Sequence, residues 1–356
     1  MDTRENCSIE EIGSLLKNKQ KIAIITHINP DADALSSLVV LKDCLVNFFN
    51  DEKNPKQVDI YADTVELDEI YNPILKQDLL NAQNVIGKYD LAIGVDCSDI
   101  GRFGIYKKVF ENAKESLNID HHETNTYFAN YNLVKKTSST TELLYLLMSK
   151  FKIELSAPIC KLIYAGIITD TNNLAPENVS DKTYGIINKF IKNGVEIDKV
   201  QEHFFKSNPL SKIKLLAKAI DSLKFVADSK IAIMKLNKID YVECGANPET
   251  DTLGLVDHAI NLKDTKIAMM ILKQEDNSYR ISLRSKGQIN VGEIAKQFGG
   301  GGHEHMAAFN ANAISDFKDD FIRICNKELQ GLNENLDDSN NLFFEDTNND
   351  IEDILN

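Results

Sequence analysis

The sequence lacks the patterns that mark an exported or membrane-inserted protein. Its six cysteines are scattered without a C-x-x-C pair, which disfavours a disulfide framework or a zinc ribbon and favours reduced thiols. No apolar run approaches the roughly 18 residues that a membrane-spanning helix needs. Residues 1–20 are acidic and helical in pattern, unlike a signal or transit peptide. These absences predict a cytoplasmic protein with no membrane partner.

Positive charge is also scarce, with 40 Lys and Arg against 54 Asp and Glu. A protein that binds long nucleic acid needs a broad basic surface, so this class is disfavoured. A small phosphorylated ligand needs only a local basic pocket. Residues 331–356 contain no Lys or Arg and are rich in Asn, Asp and Glu, which predicts a disordered acidic tail.

What the sequence does contain, from residue 20 to about 190, is an alternation of β-rich apolar runs with helical patterns. This alternation is typical of an α/β domain with a parallel sheet covered on both faces. A Lys-rich helical stretch and a second set of strands follow, which indicates a smaller mixed-sheet α/β domain. The predicted organisation is a first domain at 1–192, a helical linker at 193–218, a second domain at 219–330 and the tail at 331–356.

Residues of the kind that bind metals follow four apolar runs of the first domain, each predicted as a strand that ends at this point. They are His27, Asp31 and Asp33; Asp96; Asp120, His121 and His122; and Asp170. A single Asp after a strand is usually a cap or turn residue. Four such ends, two of them with His, are harder to attribute to capping, and in parallel sheets they meet at one edge.

Carboxylates and imidazoles without thiolates suit Mn²⁺ or Mg²⁺, with Co²⁺, Zn²⁺ and Fe²⁺ as less favoured ions. Six ligands drawn from this set would be too many for one catalytic ion with open positions, but they are enough for two ions that share a bridging carboxylate. Two such ions activate a water and stabilise both oxygens in phosphoryl transfer. Asp31 and Asp33 would otherwise repel each other, and each can serve a different ion.

The second domain contains a candidate phosphate clamp. Strand alternation in "YRISLRS" puts Arg280, Ser282 and Arg284 on one face, next to Ser285. A glycine run, Gly299 to Gly302, lets backbone N–H groups approach an anion beside His303. The alternative is that the glycines merely form a tight turn.

A Ser and Thr run, "KKTSSTTELL", is predicted to cap a helix in the first domain. The candidate cap residues are Ser138, Ser139 and Thr140. A contact between this run and a ligand is the alternative.

The "DHH" at Asp120, His121 and His122 and the motifs around His27, Asp96 and Asp170 resemble the DHH phosphoesterase superfamily. The segment "GGGGHEHMAAF" is similar to the DHH-associated C-terminal domain. The resemblance covers roughly residues 15 to 325, and it implies an active site in the cleft between the two domains. Two departures stand out, Asn172 and Phe309, where the superfamily usually has Gly.

The resemblance also implies roles for individual residues. His27, Asp31 and Asp96 would hold one ion, and Asp33, Asp96, His121 and Asp170 a second, with two Mn²⁺ as the expected cofactors and Mg²⁺ or Co²⁺ as alternatives. His122 would contact the phosphate or donate a proton, Asp120 would orient it, and Asp96 would be the bridge. Substrate contacts would come from Arg102, Arg284, Ser285, Gly300, Gly301, Gly302 and His303.

Within the superfamily the chain looks most like the NrnA group. This likeness implies hydrolysis of short RNA or DNA oligonucleotides, removal of the 3′-phosphate of 3′-phosphoadenosine 5′-phosphate (pAp), or both. The alternatives are a phosphodiesterase for linear or cyclic dinucleotides and a non-catalytic nucleotide sensor. A RecJ-like exonuclease and a family II pyrophosphatase fit less well. The oligomeric state stays open between a monomer and a homodimer.

Overall fold

The computed structural model describes residues 6–50, 54–62, 79–80, 88–175 and 179–334, and the chain divides into two compact units, Met1–Ser207 and Asn208–Asn356. The strands of the first unit are β1 (Lys21–Ile25), β2 (Gln57–Tyr61), β3 (Leu79–Leu80), β4 (Leu91–Val95), β5 (Glu115–Asp120) and β6 (Tyr131–Val134). Its helices are α1 (Ile9–Asn18), α2 (Ala32–Asn47), a 3-10 helix (Ile100–Tyr106), α3 (Lys107–Glu111), α4 (Thr140–Lys150), α5 (Ala157–Asp170), α6 (Asp181–Lys192) and α7 (Ile197–Phe205).

The described strands of this unit form one parallel sheet in the order β3-β2-β1-β4-β5-β6. Alternate residues of β1 enter two different cores: Ile22 and Ile24 pack with helices α2, α4 and α5, and Ala23 and Ile25 pack with the aromatic cluster around Phe103. The predicted parallel sheet with both faces covered is therefore confirmed. The strand order reverses between β1 and β4, and ligands bind at such a point in open α/β sheets.

One element differs from the sequence prediction. Asp170 does not follow a strand, because the apolar run before it forms helix α5, which ends at Asp170. This helix packs against α2 and α4, so most of its surface is buried. The run is therefore apolar on nearly all sides, and hydrophobic periodicity does not distinguish such a helix from a buried strand.

The second unit has strands β7 (Lys224–Val226), β8 (Ile231–Leu236), β9 (Ile267–Lys273), β10 (Tyr279–Ser285), β11 (Gly301–Gly302) and β12 (Met306–Ala311). Its helices are α8 (Leu210–Asp221), α9 (Lys238–Cys244), α10 (Leu255–Ile260), α11 (Val291–Gln297), a 3-10 helix (Ile314–Asp316) and α12 (Lys318–Glu334). The described strands form one mixed sheet in the order β11-β12-β10-β9-β8-β7, with a parallel pair only at β8 and β9. The predicted mixed sheet is confirmed.

Three further features bear on the sequence predictions. The predicted linker, 193–218, contains α7 of the first unit and most of α8 of the second. Helix α12 includes residues 331–334, and the rest of the predicted tail, 335–356, lies outside the described residues. All six cysteines are buried free thiols, and within the described ranges no helix is both long and apolar enough to span a membrane.

Candidate active site

The predicted metal ligands of the first unit converge at the point where β1, β4 and β5 end. His27 follows β1, Asp96 follows β4 directly, and His121 and His122 follow β5. Asp96 has a left-handed backbone with φ of 54°, a conformation that turns the chain sharply after the strand and that Asp tolerates better than most residues. Helix α2 adds Asp31 from its N-cap and Asp33 from its first turn, and α5 adds Asp170 as its last residue.

The first donor group consists of His27, Asp31 and Asp96, whose ligand atoms all lie within 4.8 Å of one another. His27 Nδ1 lies 2.8 Å from the Ile28 carbonyl oxygen, so Nδ1 donates and Nε2 is presented to Asp96 Oδ2 at 3.7 Å. Asp31 caps α2 by accepting a hydrogen bond from Ala34 N at 3.0 Å through Oδ1. The capping interpretation of Asp31 is therefore correct, and its second oxygen can still bind a cation.

The second donor group consists of Asp33, Asp96 and His121, again within 4.8 Å. His121 Nδ1 donates to the Thr137 carbonyl oxygen at 3.1 Å. His121 Nε2 then lies 3.6 Å from Asp96 Oδ1 and 3.1 Å from Asp170 Oδ2. The two oxygens of Asp96 thus face different imidazoles, Oδ2 towards His27 and Oδ1 towards His121, and Asp96 belongs to both donor groups.

Several carboxylates of this centre lie close together and are shielded from water, and this shifts their pKa values. Burial, with the neighbouring charge of Asp96, raises the pKa of Asp33 to about 7, and burial with nearby carboxylates raises the pKa of Asp170 well above its usual value. Burial alone would lower the pKa of His121, but Asp170 and Asp96 raise it to about 10. The raised pKa values mean that Asp33, Asp170 and His121 tend to hold protons. A divalent cation would neutralise the carboxylates in their place, so its binding would release protons.

Burial alone would also raise the pKa of Asp96. The hydrogen bond with His27 and the electrostatic attraction of the His122 and His121 imidazoles outweigh burial and hold the pKa of Asp96 well below its usual value. Asp96 therefore favours the ionised form, which is the form that binds metals.

His122 is held by a separate hydrogen-bond chain. His122 Nδ1 donates to Asp120 Oδ1 at 2.7 Å, and Asn125 Nδ2 donates to Asp120 Oδ2 at 2.6 Å. Asn125 also donates to Asn118 Oδ1 at 2.7 Å. The sequence analysis missed both asparagines, and "DHHETN" gave no signal that separated Asn125 from a turn residue. Because Nδ1 is engaged with Asp120, a contact between His122 and a substrate would be made through Nε2, the other ring nitrogen.

Arg102 lies in the 3-10 helix after Asp96, and its backbone carbonyl accepts from Ile28 N at 2.8 Å. Its positive charge is near enough to His27 to oppose protonation of that imidazole. The predicted substrate contact Arg102 therefore lies near His27 of the first donor group.

In the second unit, Arg284 is half-buried, and its Nε donates to Asp257 Oδ1 at 2.6 Å while Nη1 donates to the Leu283 carbonyl oxygen at 3.0 Å. These bonds use two of the five N–H donors of a guanidinium, so donors remain for a phosphate. Ser285, by contrast, is buried, and its hydroxyl donates to the Ile289 carbonyl oxygen at 2.6 Å. This geometry favours a structural role for Ser285 over the predicted substrate contact.

The glycine run is mostly required by the fold. A Cβ at Gly300 would lie 2.1 Å from the Ala308 carbonyl oxygen, and one at Gly302, where φ is 145°, would lie 2.3 Å from the Met306 carbonyl oxygen. A Cβ at Gly301 would meet no atom within 4 Å. His303 closes the turn to β12 through its backbone N–H, which donates to Met306 O at 2.7 Å. The tight-turn interpretation therefore explains Gly300 and Gly302, whereas a side chain at Gly301 would have open space around it.

The two departures from the superfamily pattern have structural explanations. Asn172 has a left-handed backbone with φ of 47°, a conformation that Asn adopts more readily than most non-glycine residues and that suits a position where Gly is usual. Phe309 is buried and stacks on Phe298 with ring centroids 4.7 Å apart. Phe309 thus belongs to the core of the second unit.

The donor atoms fit divalent cations, because they are carboxylates and imidazoles whose Nδ1 atoms are fixed by backbone carbonyls. We expect Mn²⁺ to stabilise the protein, since a ligand that binds only the folded state at about 100 times its Kd adds about 2.7 kcal/mol. This corresponds to a rise in Tm of roughly 5 to 10 °C for a unit of this size. Thermal denaturation with Mn²⁺ and with EDTA measures the shift. An equal shift in an Asp33→Asn, Asp96→Asn double variant would contradict the assignment of the cation to this centre.

The fold and the centre together define the class of protein: a two-unit α/β protein with a carboxylate and imidazole centre at the reversal point of a parallel sheet. The chain matches the family model described as "DHH family, N-terminal domain" over residues 21–167 and the model described as "DHHA1 domain" over residues 228–331. The first unit therefore contains a DHH-family N-terminal domain, and the second contains a DHHA1 domain. A chain with this pair of domains is a phosphoester hydrolase.

Relatives match nearly the whole chain. An uncharacterized protein of Mycoplasma genitalium is 28% identical over 320 residues, which cover 89% of this chain and 93% of its own. A bifunctional oligoribonuclease and PAP phosphatase, NrnA, of the same organism is 28% identical over 326 residues, covering 89% and 97%. The crystal structure of an exopolyphosphatase-related protein from Bacteroides fragilis has a TM-score of 0.73 at 20% identity, covering 84% and 89%, and shares the fold.

Proposed function

We propose that the chain is a divalent-cation-dependent phosphoesterase that hydrolyses short oligonucleotides to mononucleotides and removes the 3′-phosphate of pAp. The observation that carries this proposal is the position of Asp96, whose two oxygens face two separate imidazoles, so that one carboxylate serves both donor groups. The NrnA name of a relative that matches over nearly its full length supports the substrate class.

In this proposal His27, Asp31 and Asp96 hold one cation, and Asp33, Asp96, His121 and Asp170 hold a second. Two cations so held would lower the pKa of a water and neutralise negative charge on the phosphate. Asp96 favours its ionised form, and backbone carbonyl oxygens fix the imidazoles of His27 and His121. In this proposal the protein therefore holds the cation ligands in place before the substrate binds.

His122 and Arg102 would act on the substrate itself. Asp120 holds His122 through Nδ1, so a proton on Nε2 can be delivered to the oxygen of the leaving group. The Arg102 guanidinium, next to His27, would bind a non-reacting phosphate oxygen.

The test is a panel of substrates with and without Mn²⁺: pAp, a series of 5′-labelled RNAs of increasing length, and linear and cyclic di-AMP. We expect Mn²⁺-dependent release of phosphate from pAp and of mononucleotides from the shorter RNAs, with activity falling as the RNA lengthens. Product lengths give the direction of attack. Preferential cleavage of di-AMP would replace the proposed substrate with dinucleotides. Mn²⁺ and nucleotide binding without hydrolysis of any substrate would identify a sensor.

We further propose that the second unit binds a phosphate of the substrate through Arg284, the backbone at Gly301 and His303. Gly301→Ala is expected to raise KM roughly 10- to 150-fold with little change in kcat, since displacing one charge-assisted hydrogen bond to an anion costs about 1.5–3 kcal/mol. Steady-state kinetics with pAp measure the effect. The matched control is Gly300→Ala, which should lower the stability of the second unit because of the contact with Ala308. An unchanged KM in Gly301→Ala would refute this contact.

A further inference from the structure

One short segment of the first unit hydrogen-bonds to predicted ligands that come from three other parts of the chain. The segment is Thr137–Thr141, which leads into α4. Its Thr137 carbonyl oxygen accepts from His121 Nδ1. Its Thr140 and Thr141 backbone N–H groups donate to the two oxygens of Asp33, at 2.7 and 3.0 Å. The segment therefore contacts two residues of the second donor group.

Thr140 contacts Asp33 of the second donor group and Asp96, which both donor groups share. Its backbone N–H donates to Asp33 Oδ2, and its hydroxyl donates to Asp96 Oδ1 at 2.9 Å. Asp96 Oδ1 is the oxygen that faces His121, whereas Oδ2 faces His27. The Thr140 hydroxyl thus fixes the rotation of the carboxylate that both groups share.

Thr141 completes the contact with Asp33. Its hydroxyl donates to Asp33 Oδ1 at 2.7 Å, so this oxygen accepts two hydrogen bonds, from the amide and the hydroxyl of one residue. A carboxylate has about four acceptor sites, two on each oxygen. Oδ2 accepts one bond, from Thr140, and keeps a lone pair, so Asp33 would bind a cation through this oxygen.

The local structure explains why this segment can serve the purpose. The first N–H groups of a helix have no partner within the helix, so the start of α4 offers donors to a carboxylate. Ser139 caps the helix by accepting from Glu142 N at 3.0 Å, and Glu142, itself buried, accepts from Thr183 Oγ1 at 2.9 Å. Thr140 and Thr141 are both fully buried. The donors are therefore held rigidly and are shielded from water.

We propose that Thr140 and Thr141 are positioning residues of the cation centre, which set the orientation of Asp33 and Asp96 and through them the affinity for the paired cations. The inference rests on the proposed function, because it takes these carboxylates as cation ligands. Gly166 supports it: a Cβ there would lie 2.3 Å from Thr141 Oγ1 and 2.4 Å from Asp33 Oδ1, so α5 holds the pair from the other side.

Titration calorimetry of the full chain with Mn²⁺ tests this proposal without reference to turnover. Thr140→Val keeps the branched shape and the backbone N–H but loses the hydroxyl bond to Asp96. Its Mn²⁺ affinity should fall about 10- to 100-fold, the usual effect of removing a hydrogen bond that orients a metal ligand. Thr140→Ser keeps the hydroxyl and should retain the wild-type affinity. Thr141→Val and Thr141→Ser make the same comparison for Asp33.

The matched control is Thr265→Val in the second unit. Thr265 is also buried, and its hydroxyl donates to a backbone carbonyl oxygen, that of Ser229, at 3.3 Å. This variant should lose a similar hydrogen bond without any loss of Mn²⁺ affinity. Circular dichroism verifies folding of each variant, and Thr140→Ala takes the place of Thr140→Val if the latter does not fold.

The outcomes separate the inference from the proposed function. Wild-type affinity for Mn²⁺ in both Thr140→Val and Thr141→Val would overturn the positioning role while leaving the cation centre intact. Weakened binding in Thr140→Ser to the same extent as in Thr140→Val would overturn it as well, since the hydroxyl would not then be the cause. Absence of Mn²⁺ binding by the wild-type chain would instead refute the proposed function.

Discussion

Asp96→Asn is expected to reduce Mn²⁺-dependent hydrolysis of pAp by about a thousandfold or more. The asparagine side chain has the same shape, but it lacks the charge and the second acceptor oxygen with which Asp96 faces both His27 and His121. A metal centre contributes several kcal/mol of transition-state stabilisation, and each 1.36 kcal/mol is a factor of about ten in rate. Initial rates at saturating Mn²⁺ measure the loss.

Asparagine is the better replacement because of the backbone at this position. Asp96 has a φ of 54°, and a left-handed backbone costs most other residues about 1–2 kcal/mol. An alanine would therefore mix a loss of chemistry with a loss of stability. Circular dichroism should show that Asp96→Asn is folded. Normal turnover by a folded Asp96→Asn protein would remove Asp96 from its bridging role.

His122→Gln is expected to lower kcat about 100- to 10,000-fold for substrates with a ribose leaving group, the range typical of a lost general acid. The effect should be much smaller for an aryl phosphodiester, whose leaving group departs without a proton. Comparison of kcat for the two substrate types measures the role of the His122 proton.

The matched control for this variant is His203→Gln, a substitution in α7 of a histidine that the proposal does not place in the centre. It should leave both rates unchanged. If His122→Gln lost the same factor on both substrates, His122 would act on binding or on the structure of the centre, and the assignment as proton donor would fail.

Much of the first unit can be predicted from the sequence because its strands are short, apolar and separated by helical patterns. The ends of β1, β4 and β5 follow from the same patterns, and the parallel arrangement places His27, Asp96 and His121 at one edge of the sheet. Asp170 reaches the same place by another route. Its helix is buried on most sides, so the local pattern carries no information about whether the backbone is helical or extended.

Other parts of the centre depend on contacts between distant segments, which no local pattern encodes. The Ser and Thr run was expected to cap a helix, and Ser139 does so. The same run also holds Asp33, 107 positions away from Thr140, through backbone N–H groups that every residue but proline has. In the glycine run, the fold requires glycine at Gly300 and Gly302 but leaves room for a side chain at Gly301. The sequence has the same residue at all three positions, so it cannot distinguish them.

Helix α5 approaches the centre so closely at Gly166 that the positions of Asp33 and Thr141 depend on the lack of a Cβ atom at this residue. Any side chain there would meet Asp33 and Thr141 at the distances of a collision. Gly166 supplies no functional group, yet replacing it would disturb the centre as directly as replacing a ligand. A relative that changed its substrate through the second unit would still have to keep this position empty, because volume alone decides which residue is tolerated.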